Sequence, residues 1–277
     1  MKDKLFDYVE RHNLIYDLSG LTKLICFLLC TMAVMFTYDA RFILAVMVLS
    51  LIVLRISEIR FSQIKVMLIY VAIFLILNFI LTFLFSPTYG TEIYGTYHEL
   101  FKIAGRYVVT QEQLFYQLSK TLKYASVIPF GIIFFLTTHP SELAASLNRI
   151  GVPYKAAFAL SLTLRYFPDT IRTYQDISLA QQSRGLDLSK KEKLGRRIKN
   201  TVNICVPLIF STLSRIDIIA NTMDLRGFGK EKKRSWYSAK PMKRADVIAI
   251  ILCSLVLLTS LFLIFFVNHG KFWNPFV

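Results

Sequence analysis

Residues 245–267 run for 23 positions with only Asp246, Ser254, Thr259 and Ser260 polar. A run this long and apolar has few ways to fold. About twenty apolar residues in a helix match the thickness of a bilayer, and a helix satisfies its own backbone hydrogen bonds where no water is present. Leu21–Tyr38, Phe42–Leu54, Met67–Phe85 and Tyr124–Thr138 are apolar in the same way. They predict an all-α integral membrane protein with about five transmembrane helices. Phe42–Leu54 gives only about 20 Å of helix at 1.5 Å per residue, so it needs flanking residues or a thinned bilayer. Pro129 and Gly131 predict a kink in the fourth span. Val109-Thr110-Gln111-Glu112 reads as an N-cap opening a helix toward Leu122, and the stretch from Pro87 up to it reads as a loop. Asn78 in the third span reads as a hydrogen bond between helices.

The charge is distributed unevenly. The chain carries 33 Lys and Arg against 18 Asp and Glu, a net +15. Between His139 and Arg244 there are 20 basic and 8 acidic residues, so most of the excess lies in one segment between spans. That is the pattern of a cytoplasmic segment under the positive-inside rule, and it argues against nucleic acid as the partner. Lys2, Lys4, Arg55 and Arg60 place the N-terminus on the same cytoplasmic side. Residues 87–120, with three basic and three acidic residues, and the C-terminus then fall outside. The charged N-terminus lacks a small-residue cleavage site after the first apolar run, so no cleaved signal peptide is expected. Cys26, Cys30, Cys205 and Cys253 form neither a zinc pattern nor a disulfide framework.

These features divide the chain into an N-terminal membrane domain of about four spans (1–138), a cytoplasmic domain of three helices (139–244), which the resemblance given below implies is a coupling domain, and a C-terminal transmembrane helix (245–277). The cytoplasmic domain opens with Pro140-Ser141-Glu142, a helix start, and its first helix stops at Gly151 and Pro153. A long helix follows over 155–184, with a bend expected near Leu164 because Pro168 removes a backbone donor. In the next helix Ile198, Val202, Cys205, Ile209, Leu213, Ile216, Ala220 and Met223 trace one face over seven turns. Both long helices read as too long, and too charged on the opposite face, for ordinary spans. They are expected to cross and pack against each other and on the membrane segments, and the basic linker Lys190–Lys199 joins them. Each ends on a short repeated pattern: Gln182-Ser183-Arg184-Gly185-Leu186 and Asp224-Leu225-Arg226-Gly227-Phe228, with the arginines 42 positions apart.

Arg-Gly at a helix end has a purely structural explanation, because glycine takes the left-handed cap, arginine complements the helix dipole, and the apolar residue after glycine (Leu186, Phe228) packs back on the final turn. Two copies on paired helices point further. Two guanidinium groups at rigid tips suit carboxylates or helix-end carbonyls in a partner's groove.

The two Arg-Gly motifs, Leu136-Thr137-Thr138-His139-Pro140-Ser141-Glu142-Leu143, Ile150-Gly151-Val152-Pro153, Leu164-Arg165-Tyr166-Phe167-Pro168 and Ser178-Leu179-Ala180-Gln181-Gln182 together resemble the transmembrane (T) component of energy-coupling factor transporters. The resemblance is specific from about Thr110 to Gly229. The family's motif is usually Ala-Arg-Gly; Ser183 and Leu225 stand here in place of alanine. The resemblance implies that Ser183, Arg184, Gly185, Leu225, Arg226 and Gly227 dock into grooves on two cytoplasmic ABC ATPases. It implies that a separate substrate-binding membrane subunit (S component) sits in the lipid bilayer beside this chain, and that the complex imports vitamins or metal ions across a prokaryotic plasma membrane. ATP would be bound by the partners and no cofactor by this chain. In keeping with that, the sequence holds no Gly-x-x-x-x-Gly-Lys-Ser/Thr loop to cradle phosphate, and no catalytic or metal cluster stands out.

Two rivals differ in kind. A membrane enzyme would need ionisable groups inside its spans, which are nearly absent here. A membrane-anchored basic scaffold for anionic lipid or another protein, without transport, would use its charges without needing glycine after two particular arginines.

Overall fold

The computed structural model describes residues 13–104, 107–186, 193–231, 235–236, 240–268 and 272–275. Lys2, Lys4 and residues 190–192 of the expected linker lie outside the described residues. Two compact units emerge, one formed by the described residues up to Glu142 and from Lys240 onward, the other by those between Leu143 and Ala239.

In the first unit α1 (Gly20–Phe36), α2 (Ala40–Ile56), α3 (Phe61–Phe85), α5 (Gln111–Thr137) and α9 (Arg244–Phe262) are the long elements. A π-helical turn, Leu263–Val267, continues α9. Helix α1 packs on α9 and α5, and α5 also packs on α2 and more lightly on α3. Small side chains allow the approach and supply polar links, as expected where lipid gives helices no hydrophobic drive to associate. Ser260 Oγ on α9 donates to the Ala33 carbonyl on α1 at 2.7 Å, and Ser126 Oγ on α5 donates to the Ile43 carbonyl on α2 at 3.3 Å. Phe27 and Phe134 stack between α1 and α5 with centroids 5.3 Å apart.

Several boundaries differ from the sequence reading. Helix α2 has 17 residues where 13 were expected, because Asp39 caps it by accepting from the Arg41 N–H at 3.0 Å. The two segments expected on either side of residue 123 form one 27-residue helix, α5, which continues through Pro129. Its start is as read: Thr110 Oγ1 accepts from the Gln113 N–H at 3.2 Å. The stretch expected to be a loop holds a short helix, α4 (Tyr89–Tyr94), and an antiparallel hairpin of β1 (Glu99–Ala104) and β2 (Tyr107–Thr110).

The buried Gln113 side chain joins these pieces, accepting from the Gly90 N–H at 2.7 Å and donating to the Ser86 carbonyl at 2.9 Å. A Cβ on Gly90 would lie 2.6 Å from the Gln113 Cα. No rotamer relieves a clash with backbone, so Gly90→Val is expected to destabilise this end of the unit by about 1–3 kcal/mol, the range for overpacking. A lowered thermal unfolding midpoint of the purified protein is the check.

The second unit holds most of α6 (Pro140–Ile150), together with α7 (Tyr154–Ser183) and α8 (Leu194–Leu225). Residues 194–199 of the expected linker are in fact the first turns of α8. Both long helices run through an internal proline, Pro168 in α7 and Pro207 in α8.

By length and composition four stretches can cross a membrane: Phe61–Phe85, Gln111–Thr137, Gly195–Leu225 and Arg244–Val267. The third lies in α8, which qualifies by length and composition alone although its charged face reads as unlike an ordinary span. Three of its four cations, Arg196, Arg197 and Lys199, crowd the first turns, and an uncharged stretch runs from Thr201 to Ser214 before Arg215. Helices α1 and α2, at 17 residues each, give about 26 Å and stand at the short end of the spanning range.

Candidate functional site

Both long helices of the second unit end in the same backbone device. At the end of α7 the Leu186 N–H donates to the Gln181 carbonyl at 3.1 Å and the Gly185 N–H to the Gln182 carbonyl at 2.9 Å. At the end of α8 the Phe228 N–H donates to the Met223 carbonyl at 2.9 Å and the Gly227 N–H to the Asp224 carbonyl at 2.9 Å. Each is the six-to-one and five-to-two pair of a Schellman motif, which requires a left-handed residue after the cap. Gly185 supplies it with φ 87° and Gly227 with φ 69°. The cap residue in each case is the arginine, Arg184 or Arg226.

Both arginines are exposed, as are Ser183 and Leu225. Among the described residues, neither guanidinium has a carboxylate partner. The Ser183 hydroxyl turns back to the Leu179 carbonyl at 3.1 Å, so it presents little beyond the helix surface. Leu225 is different. At 89% exposed it stands out from the second tip as an apolar knob beside Arg226.

What holds the second tip was not legible in the sequence. Phe228 packs on Phe158 (centroids 4.7 Å apart) and Tyr154 (5.6 Å) in the first turns of α7, and Trp236 lies 5.4 Å from Tyr154. Trp236 Nε1 donates to Asn148 Oδ1 at 3.1 Å, and Asn148 Nδ2 to the Val152 carbonyl at 2.9 Å, which brings in the end of α6. Aromatic pairs of this kind add about 0.5–1.5 kcal/mol each beyond area burial. The ion pairs from Asp169 to Arg172 (3.8 Å) and Arg215 (3.7 Å) are half-exposed and contribute at most about 1 kcal/mol. The aromatic cluster, then, fixes how α8 meets α7.

The end of α8 meets the start of α7, which sets the Arg226 tip near Phe158 and leaves the Arg184 tip at the far end of α7. The tips therefore lie near opposite ends of α7. From Phe158 to Arg184, α7 spans about 35–40 Å at 1.5 Å per residue. One groove could not take both arginines. Between the helices an open, mostly apolar groove of about 540 Å³ is lined by Tyr166, Phe167, Ile216 and Met223, with Arg215 at its side. Among the described residues, no group of three His, Cys, Asp or Glu side chains is placed to hold a metal ion.

Fold and tips together define an all-α, membrane-type protein with a helical unit ending in two matched arginine caps. The chain belongs to the cobalt transport protein family, CbiQ, whose model matches residues 11–237. The match begins well before Thr110, where the specific motifs start. The energy-coupling factor transporter transmembrane protein EcfT of Leuconostoc gelidum subsp. gasicomitatum is 30% identical over 178 residues, 61% of this chain and 63% of that protein. The EcfT of Staphylococcus aureus is 28% identical over 138 residues (47% and 51%), and that of Bacillus selenitireducens 31% over 124 residues (42% and 46%). The chain thus spans 46–63% of the length of these relatives.

Proposed function

We propose that this chain is the non-catalytic T component of an energy-coupling factor importer in a prokaryotic cell membrane. It would pass ATP-driven movement of two cytoplasmic ABC ATPases to a substrate-binding membrane subunit. The observation that carries this reading is the pair of matched, exposed arginine caps held about 35–40 Å apart along α7, a spacing that suits two sockets on two subunits. The family match and the EcfT relatives support it. In this reading Ser183, Arg184 and Gly185 enter one ATPase, while Leu225, Arg226 and Gly227 enter the other. The N-terminus and the second unit face the cytoplasm, and the cargo, a vitamin or a metal ion, is chosen by the other membrane subunit.

The test is copurification of the tagged chain from its native membrane, followed by identification of its companions. Two ABC ATPases and one small membrane protein are expected. Saturable ATP binding by the isolated chain would overturn the reading. The scaffold alternative is separated by Arg184→Lys with Arg226→Lys. A diffuse basic surface tolerates that change, whereas a socket built for a planar guanidinium does not.

A further inference from the structure

The first unit hands the chain to the second at two points, after Glu142 and before Lys240. These two residues are ion-paired, with Lys240 Nζ 2.9 Å from Glu142 Oε1. The same ammonium donates to the Tyr16 carbonyl at 3.1 Å. Lys23 on α1, 6% exposed, donates to that carbonyl too, at 3.1 Å, and to the Thr137 carbonyl at the end of α5, at 2.7 Å. Asp246, 1% exposed, accepts from the Ser19 N–H at 2.8 Å and the Lys243 N–H at 2.7 Å. One polar knot therefore joins the starts of α1 and α9, the end of α5 and both connections to the second unit.

There is little slack around it. Only Thr138 and His139 separate α5 from α6, and three residues separate Lys240 from α9. Lys23 and Glu142 are buried, and charges bound there at several points resist being pulled apart, because each broken contact leaves a charge or carbonyl unsatisfied at low dielectric. Two connections tied to each other must also move together.

We propose that Lys23, Glu142 and Lys240 are positioning residues of the coupling step: they carry displacement of the arginine-tipped helices into α1, α5 and α9. This rests on the ATPase reading above.

Hydrogen exchange of the whole complex, purified from its native membrane, tests it with ATP and with ADP as the probes. In the unaltered complex the nucleotide is expected to change exchange at residues 175–186 and 218–230, which hold the tips, and also at 16–30 and 240–255. Lys240 is the gentler site to change, since its side chain is 37% exposed. In Lys240→Met the response at the tips should persist, while that at 16–30 and 240–255 falls by about tenfold, within the usual span of coupling between sites. Lys240→Arg, which keeps the ion pair, should retain it. Glu142→Gln should behave as Lys240→Met does. A full response at 16–30 in both Lys240→Met and Glu142→Gln overturns the relay and leaves the ATPase reading standing. Absence of any nucleotide response at the tips of the unaltered complex overturns both.

Discussion

Replacing Arg184 and Arg226 together with alanine is expected to leave the subunit inserted in the membrane but stripped of its ATPases. Each guanidinium is exposed at a cap held by backbone bonds, so on the proposed reading each single change removes one charge-assisted contact and leaves the helix end intact. The loss per tip is about 1.5–3 kcal/mol, the range for a hydrogen bond to a charged group. One remaining tip still tethers its ATPase, and a tethered pair holds its second partner at high effective concentration. Arg184→Ala or Arg226→Ala should therefore recover some complex with weakened coupling. The double change loses the linkage as well as both contacts, and recovery should fall by far more than the product of the single effects. Pull-down of the ATPases from solubilised membranes measures this. Normal recovery by the double variant would reduce both motifs to helix caps.

The tips were legible because a Schellman cap is a local device. Arginine, glycine and an apolar residue in a row at the end of a periodic stretch announce it, and φ 87° at Gly185 and 69° at Gly227 follow from that grammar. The apolar runs were legible for the same reason. What stayed hidden depends on partners distant in sequence. Nothing near Phe228 foretells its seat on Phe158. Nothing local to Lys23 foretells that it binds the Thr137 carbonyl, 114 positions away. Lys240 was one charge in a basic segment, and its contact with Tyr16 crosses 224 positions. The hairpin of β1 and β2 was missed because glycines and polar residues around it look like loop, while its register comes from pairing across the turn.

A sharper trial of the second tip turns on glycine. Gly227→Val forces a β-branched residue to φ 69°, at a cost of about 1–2 kcal/mol for the left-handed conformation. The chain can avoid that cost only by opening the cap, which would swing Arg226 and Leu225 away from their present direction. Gly95 provides the control. It sits at φ 67°, a Cβ added there would meet nothing within 4 Å, and it ends α4 in the other unit. Gly95→Val therefore carries the same backbone strain without touching a tip. Asparagine visits the left-handed region far more easily, so Gly227→Asn should keep the cap. ATPase recovery is expected to fall with Gly227→Val about as far as with Arg226→Ala, and to stay near normal with Gly227→Asn and Gly95→Val. Thermal unfolding of the two valine variants should shift by similar amounts, since both strain one left-handed residue. Equal loss of ATPases in Gly95→Val would assign the effect to general destabilisation and remove Gly227 from the docking site.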